Sequence, residues 1–339
     1  VAERKTDKAM VIDSRMAWHF TDGTFKVYLS ADAETSALRI MNANRVGEHS
    51  SSLEDTIKEA CQSRNLKYHI YYTACQGDAT EYVRSMLRIT PDQKQRFICV
   101  GGDGTLNEIV NADPINPNGD SGVIPSGTGN DFIKNFTRED LFSSVEAQLD
   151  GKAVALDIIK CNEYYCMNMA NIGFDCAAAK KASELKKWRI PPALAYIFGV
   201  GIVIFKKFGT RMKLVFEDGK VIDKKLTLTA IGNGKYCGGG FKAAPKANLT
   251  DGIFDVCAVN KISRLTFITL VGAYRSGTYT EKKRAAKVFN HITASHFIME
   301  FDDVTPICLD GEIVEAQTAE FTIIPRAVNF VIPDGSEMI

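Results

Sequence analysis

Two short stretches hold residues whose types and spacing could do chemistry. Residues 101–107 read GGDGTLN directly after the apolar run ICV, and residues 125–132 read PSGTGNDF after SGVI. Glycine at a strand end lets the backbone come close to an anion. The N–H groups opening a following helix, with the helix dipole, favour phosphate there. A tight βα turn using glycine for conformation alone would look the same in a single loop. Asp103, however, is out of place in a simple anion cradle and suggests a cation between carboxylate and phosphate. The second stretch repeats the first, with glycines, the hydroxyls of Ser126 and Thr128, then Asn130 and Asp131 leading a helix. Adjacent βα turns of a parallel sheet face one edge, where open α/β sheets bind ligands. Gly101, Gly102, Asp103, Gly104, Thr105, Ser126, Gly127 and Thr128 thus describe one nucleotide phosphate site with metal-binding capacity. Neither stretch fits G-x-x-x-x-G-K-S/T or G-x-G-x-x-G.

Two later stretches put carboxylates on turns: NLTDGI (248–253) and LDGE (309–312). Phosphoryl transfer asks a protein for in-line positioning, neutralisation of charge by a divalent cation, and a group to take the hydroxyl proton. Asp310 and Glu312, two residues apart on a turn, can aim both carboxylates into a cleft. An ordinary Asp-Gly hairpin turn explains either stretch on its own.

The elements that must position these residues follow from periodicity. LRIMN (38–42), YHIYYT (68–73), RFICV (96–100) and SGVIP (121–125) read as strands. Between them lie helices, one with Leu53, Ile57, Ala60 and Cys61 on one face, the next opening at Asp78 with Ala79, Val83, Met86 and Leu87 inward. This alternation predicts a doubly wound parallel sheet. After about residue 153 the segments become strand-like and are joined by Asp-Gly or Asn-Gly turns, which predicts an antiparallel β-rich domain with helical exceptions at 176–208 and 263–287. Residues 18–29, WHFTDGTFKVYL, read as a hairpin about TDGT within an N-terminal extension, 1–35, of unassigned role.

Composition narrows the function classes. Lys plus Arg equals Asp plus Glu at 41 each, so no overall field recruits nucleic acid, and a charged partner must be met locally. The nine cysteines are odd in number, without a C-x-x-C pair, and several sit in apolar runs, which reads as reduced, buried thiols of a cytosolic protein. The stretch IPPALAYIFGVGIVIF (190–205) is uncharged and flanked by lysine pairs. It is short for a spanning helix and broken by Pro and Gly, so a helix packed on a sheet is expected, with peripheral bilayer contact as the sharper reading.

GGDGTLNEIVN followed by IPSGTGNDF, with NLTDGIFDV and LDGE downstream, resembles the diacylglycerol kinase catalytic domain in its bacterial lipid-kinase form, related to sphingosine kinases and NAD kinases. The resemblance spans roughly residues 36–335. It implies a Rossmann-like, NAD-kinase-like α/β nucleotide domain over 36–152 plus about 323–339. A C-terminal antiparallel β-sandwich domain over 153–322 would pack against it across a cleft. It further implies an ATP site lined by Gly101 through Asn107 (Leu106 included), Thr128 and Thr73, with Asp310 as base and Glu312 on nucleotide or metal. A structural Mg2+ would be held by Asp251 and the carbonyls of Asn248 and Ile253. The first βα loop departs from the family's Asn-Pro opening: it reads Asn42-Ala43-Asn44-Arg45-Val46-Gly47, keeping Asn42 and Gly47. The implied function is ATP-dependent phosphorylation of a lipid hydroxyl. The protein would be cytoplasmic with transient membrane association, act without nucleic acid, and could form a homodimer. The alternatives are an NAD kinase-like enzyme and a nucleotide-binding pseudoenzyme or sensor.

Overall fold

The computed structural model describes residues 11–12, 24–29, 52–127, 129–174, 176–177, 209–281 and 285–339. The chain divides into two compact units, one of residues 1–156 with 327–339 and one of residues 157–326. The fold class is α/β followed by β.

In the first unit the strands are β1 (Val11–Ile12), β2 (Thr24–Leu29), β3 (Lys67–Tyr72), β4 (Gln95–Gly101) and β5 (Gly119–Pro125), joined by the C-terminal part of β14 (Glu312–Ile332). Their order is β1-β3-β2-β4-β5-β14. Every pairing is parallel, including Asn329–Phe330 on Asp120–Ser121. The hairpin expected at 18–29 is therefore corrected: Thr24–Leu29 is a parallel strand between β3 and β4. The strand expected at 38–42 lies outside the described residues.

The apolar spacing of the helices is realised. In α1 (Ser52–Ser63) Ile57, Ala60 and Cys61 are buried. They join Ile98, Val100, Ile124, Val145 and Leu149 in one core, with α4 (Val145–Asp150) on the same side. In α2 (Asp78–Ile89) Ala79, Tyr82, Val83, Met86 and Leu87 are buried. Strand β4 is apolar on alternate and intervening residues alike because both its faces are covered, as parallel sheets require. Its C-terminal end runs straight into α3 (Asp103–Val110). The tail is tied down by Phe330, which stacks among Phe132, Phe136 and Phe142, and by Ile339 N–H donating to Asn135 C=O at 3.0 Å.

Among the described residues, the strands of the second unit pair antiparallel. The unit comprises β6 (Lys152–Cys161, entering from the first unit), β7 (Tyr164–Cys166), β8 (Met169–Gly173), β9 (Thr210–Phe216), β10 (Val221–Gly232), β11 (Phe254–Asn260), α5 (Arg264–Ser276), β12 (Phe289–Ala294), β13 (His296–Leu309) and the first part of β14. Alternation sends Phe254, Val256 and Ala258 of β11 into one core and Cys257 and Val259 into another. The first core is closed by Phe297 and Phe321, and the second is covered by Phe267, Ala273 and Tyr274 of α5. A two-residue loop, Asp310-Gly311, joins β13 to β14 with Leu309 opposite Glu312. Both residues have positive φ, 48° and 99°, the geometry that Asp-Gly favours in a tight hairpin. Of the region expected to be helical at 176–208, only Cys176–Ala177 and the loop from Gly209 are described. The apolar run at 186–208 lies outside the described residues.

Candidate active site

The two glycine stretches meet at backbone level. Gly102 is the N-cap of α3 and brings no side chain, so the first N–H groups of the helix have no preceding carbonyl to bond. A Cβ on Gly127 would stand 2.6 Å from Gly102 Cα, a separation at which only glycine against glycine fits. Ser126 N–H donates to Gly101 C=O at 2.8 Å, which continues the β4–β5 ladder into the loop.

Asp103 holds the second loop to the first. Its Oδ2 accepts the N–H of Asp131 at 3.1 Å and its Oδ1 accepts that of Phe132 at 3.3 Å. Burial, with the charge of Asp131 next, pushes its carboxyl above the usual range, while the two N–H groups pull it back. Lys134 steadies the same loop, donating to Gly129 C=O at 2.9 Å and pairing with Asp131 at 2.6 Å. Asn130 turns the chain at φ 46° and donates from Nδ2 to Gly127 C=O at 2.8 Å. Both oxygens of Asp103 thus bind backbone of the second loop.

Leu106 and Asn107 are buried. Leu106 N–H is used on Gly102 C=O, and Asn107 Oδ1 accepts from Asn111, so these two build the helix rather than face an open loop. Thr73 opens the β3–α2 loop. Asp78 closes that loop, accepting the N–H of Ala74 at 2.7 Å and the Tyr71 hydroxyl at 2.9 Å. Asn42, Gly47 and Thr128 lie outside the described residues.

In the second unit Asp310 turns back onto the segment between β7 and β8. Oδ2 accepts Met167 N–H at 2.7 Å and Oδ1 accepts Met169 N–H at 2.8 Å, while Asn168 N–H is shared between them. The other side of that segment is held by Asn233, fully buried, which donates from Nδ2 to Met167 C=O at 2.7 Å and to Asp157 C=O at 2.9 Å. Asn168 Nδ2 donates to Tyr236 C=O at 2.6 Å. Asn168 and Asn233 were missed by sequence reasoning, which took Asn233-Gly234 as a turn. The available signal was an asparagine one glycine beyond the strand-like run LTLTAI. Glu312 starts β14 beside this turn, half-buried.

The turn at 248–253 is closed by Asn248 Oδ1, which accepts the N–H and hydroxyl of Thr250, both at 3.1 Å, and by Asp251 Oδ1, which accepts Ile253 N–H at 3.2 Å. Burial, then Asp255 and Asp157, raise the Asp251 carboxyl above its ordinary value. A local excess of negative charge of this kind is what a cation relieves. Among the described residues, no cluster of three or more His, Cys, Asp or Glu side chains is arranged to hold a metal ion. Also among them, no helix is long and apolar enough to cross a membrane.

Residues 36–161 match the family model of the diacylglycerol kinase catalytic domain, and residues 168–332 match that of the YegS C-terminal NAD kinase beta sandwich-like domain. The chain is 28% identical over 266 residues to "Probable lipid kinase YegS-like" of Shewanella frigidimarina, covering 76% of this chain and 82% of that one. It is 27% identical over 265 residues to the diacylglycerol kinase of Bacillus subtilis, covering 77% and 84%. A solved diacylglycerol kinase structure from Bacillus anthracis aligns with a TM-score of 0.61 at 18% identity, over 92% of this chain and 97% of that chain.

Proposed function

We propose, from the match of residues 36–161 to the diacylglycerol kinase catalytic-domain model and the likeness to lipid kinases, that the chain is a member of that family and transfers the γ-phosphoryl group of ATP to the hydroxyl of diacylglycerol or a related lipid. The observation that carries this reading is the pair of glycine turns in backbone contact, stapled by Asp103. It supplies a rigid run of N–H groups at a helix start, which suits phosphates. In this reading Gly101–Thr105, Ser126, Gly127 and Thr128 cradle the nucleotide, with Thr73, Asn42, Gly47 and Glu312 around it.

Asp310 accepts the proton of the lipid hydroxyl. The N–H groups of Met167, Asn168 and Met169 keep the carboxylate oriented. Mg2+ bound by the nucleotide would supply neutralisation of the phosphate charge. A second Mg2+ at Asp251, Asn248 and Ile253 would stabilise the β-rich unit. Loop rigidity and N–H placement then do the rest of the positioning, and a lipid substrate brings the protein to the membrane surface.

The test is transfer of labelled γ-phosphate to a panel of neutral lipids in mixed micelles, with NAD as a second acceptor. Phosphorylated lipid, with no NADP, is expected. Asp310→Asn should keep the KM for ATP within a few-fold while kcat falls ~10²–10⁴-fold, the usual contribution of a general base. Robust NADP formation without lipid product would overturn the reading, and so would silence on both acceptors. Near-normal kcat in the variant would remove Asp310 from the base role alone.

A further inference from the structure

Although the chain has equal numbers of acidic and basic residues, two of its segments do not. Residues 233–250 and 256–280 carry Lys235, Lys242, Lys246, Lys261, Arg264 and Arg275, with no Asp or Glu. The fold brings these segments together. Lys242 N–H donates to Arg275 C=O at 3.0 Å, the Tyr279 hydroxyl donates to Ala243 C=O at 2.6 Å, and Phe241 lies 6.1 Å from Tyr274, centroid to centroid.

Lys242 and Arg275 form no ion pair among the described residues. Each lies over an aromatic ring instead, Lys242 at 5.6 Å from Tyr236 and Arg275 at 5.8 Å from Phe241. Burial, and then Lys242, lower the proton affinity of the Lys235 amine, as expected where cations gather faster than counter-charges.

Beside this cationic turn runs the outer face of α5. The helix buries Phe267, Ala273 and Tyr274, and turns Leu265 (77% exposed) and Ile268 (56%) to solvent. Gly272, with open space around its Cβ position, and Arg275 continue the same side. Two aliphatic side chains in water next to Lys242 and Arg275, which form no ion pair among the described residues, make an interfacial pattern: apolar groups for the acyl boundary, cations for headgroup phosphates. A protein partner would need an acidic face with apolar pockets. A bilayer supplies both features without shape complementarity.

We propose that the outer face of α5, together with the glycine turn at 235–242, docks on the surface of an anionic bilayer. This rests on the lipid-kinase reading only in that the substrate resides in the membrane.

The test is co-sedimentation of the full chain with large unilamellar vesicles, phosphatidylcholine alone or equimolar with phosphatidylglycerol. Wild type is expected to bind the anionic vesicles and to release as salt is raised. Leu265→Ser with Ile268→Ser should weaken partition at least tenfold. Lys242→Glu with Arg275→Glu should cost about fivefold or more for each charge. Both pairs should keep the wild-type melting temperature and activity on a water-soluble short-chain diacylglycerol. If one pair fails to fold, the other carries the measurement.

Unchanged partition in a folded variant would overturn the proposal, as would equal binding to neutral and anionic vesicles or no binding at all. A wild-type oligomer that these substitutions dissolve would make the face a protein interface instead. Loss of activity on every lipid, with vesicle binding intact, would count against the lipid-kinase reading and leave the docking face standing.

Discussion

Each oxygen of the Asp103 carboxylate accepts one backbone N–H, from Asp131 and from Phe132, so this side chain ties together the two loops proposed to face phosphate. Asp103→Ala is therefore expected to weaken ATP binding by a similar factor with and without Mg2+. Losing acceptors for two half-buried N–H groups costs roughly 1–3 kcal/mol, and that cost is felt in loop order before any metal enters. Calorimetry in Mg2+ and in EDTA checks this, and a loss confined to Mg·ATP would restore the cation contact. The sequence marked Asp103 as unusual because an acid stood where an anion belonged. It could not show which way the oxygens turned, since their partners, the N–H groups of 131 and 132, are backbone and carry no residue signature. The same blindness hid Asn233, whose partners are two carbonyls.

At the scale of elements, the glycine turns act as a close-packed joint. Gly127→Ala places a methyl group 2.6 Å from the Gly102 Cα, where backbone rather than a flexible side chain must move. Overpacking of this kind costs about 1–3 kcal/mol. Affinity for ATP should fall at least tenfold while the second unit keeps its far-ultraviolet strand signal. Titration of a fluorescent ATP analogue against wild type and variant measures it, and unchanged affinity would mean that the joint has slack. Helix faces were legible in the sequence because 3.6-residue spacing is a local property: Ala79, Val83, Met86 and Leu87 are buried as their spacing predicts. The role of Thr24–Leu29 was not. Its TDGT signal favours a local hairpin, whereas its partners, β3 and β4, lie some forty and seventy residues downstream. Parallel pairing leaves no mark near the strand itself.

For the whole molecule, charge within the second unit couples to its stability. Asp251 is held at raised pKa by burial and by two neighbouring aspartates, so its ionised form costs stability above the ordinary carboxylate range, and that cost disappears once it is protonated in both folded and unfolded states. A cation bound at 248–253 would offset the cost at neutral pH. Wild type is thus expected to melt a few degrees higher in Mg2+ than in EDTA, with nucleotide absent, and Asp251→Ala should abolish the difference. Scanning calorimetry decides it, and a wild-type melt indifferent to Mg2+ would remove the metal from this turn. The change of texture near residue 153 suggests two domains, while the return of the chain to the first, expected at about 323, comes only from the family pattern, because a distant pairing leaves no local mark; the chain divides into units of 1–156 with 327–339 and of 157–326.

That re-entry sets an order of events during synthesis. Residues 157–326 are contiguous, whereas the first unit is completed only when residues 327–339 supply the strand that pairs with β5 and the ring of Phe330 that fills its aromatic core. Until then β5 stands as an open edge beside a parallel sheet, a surface that invites pairing with another chain. The nascent first unit is therefore most vulnerable to aggregation until residues 327–339 have been made. Shortening that interval, or shielding the β5 edge with a chaperone, should matter more for the yield of folded protein than the stability of either finished unit.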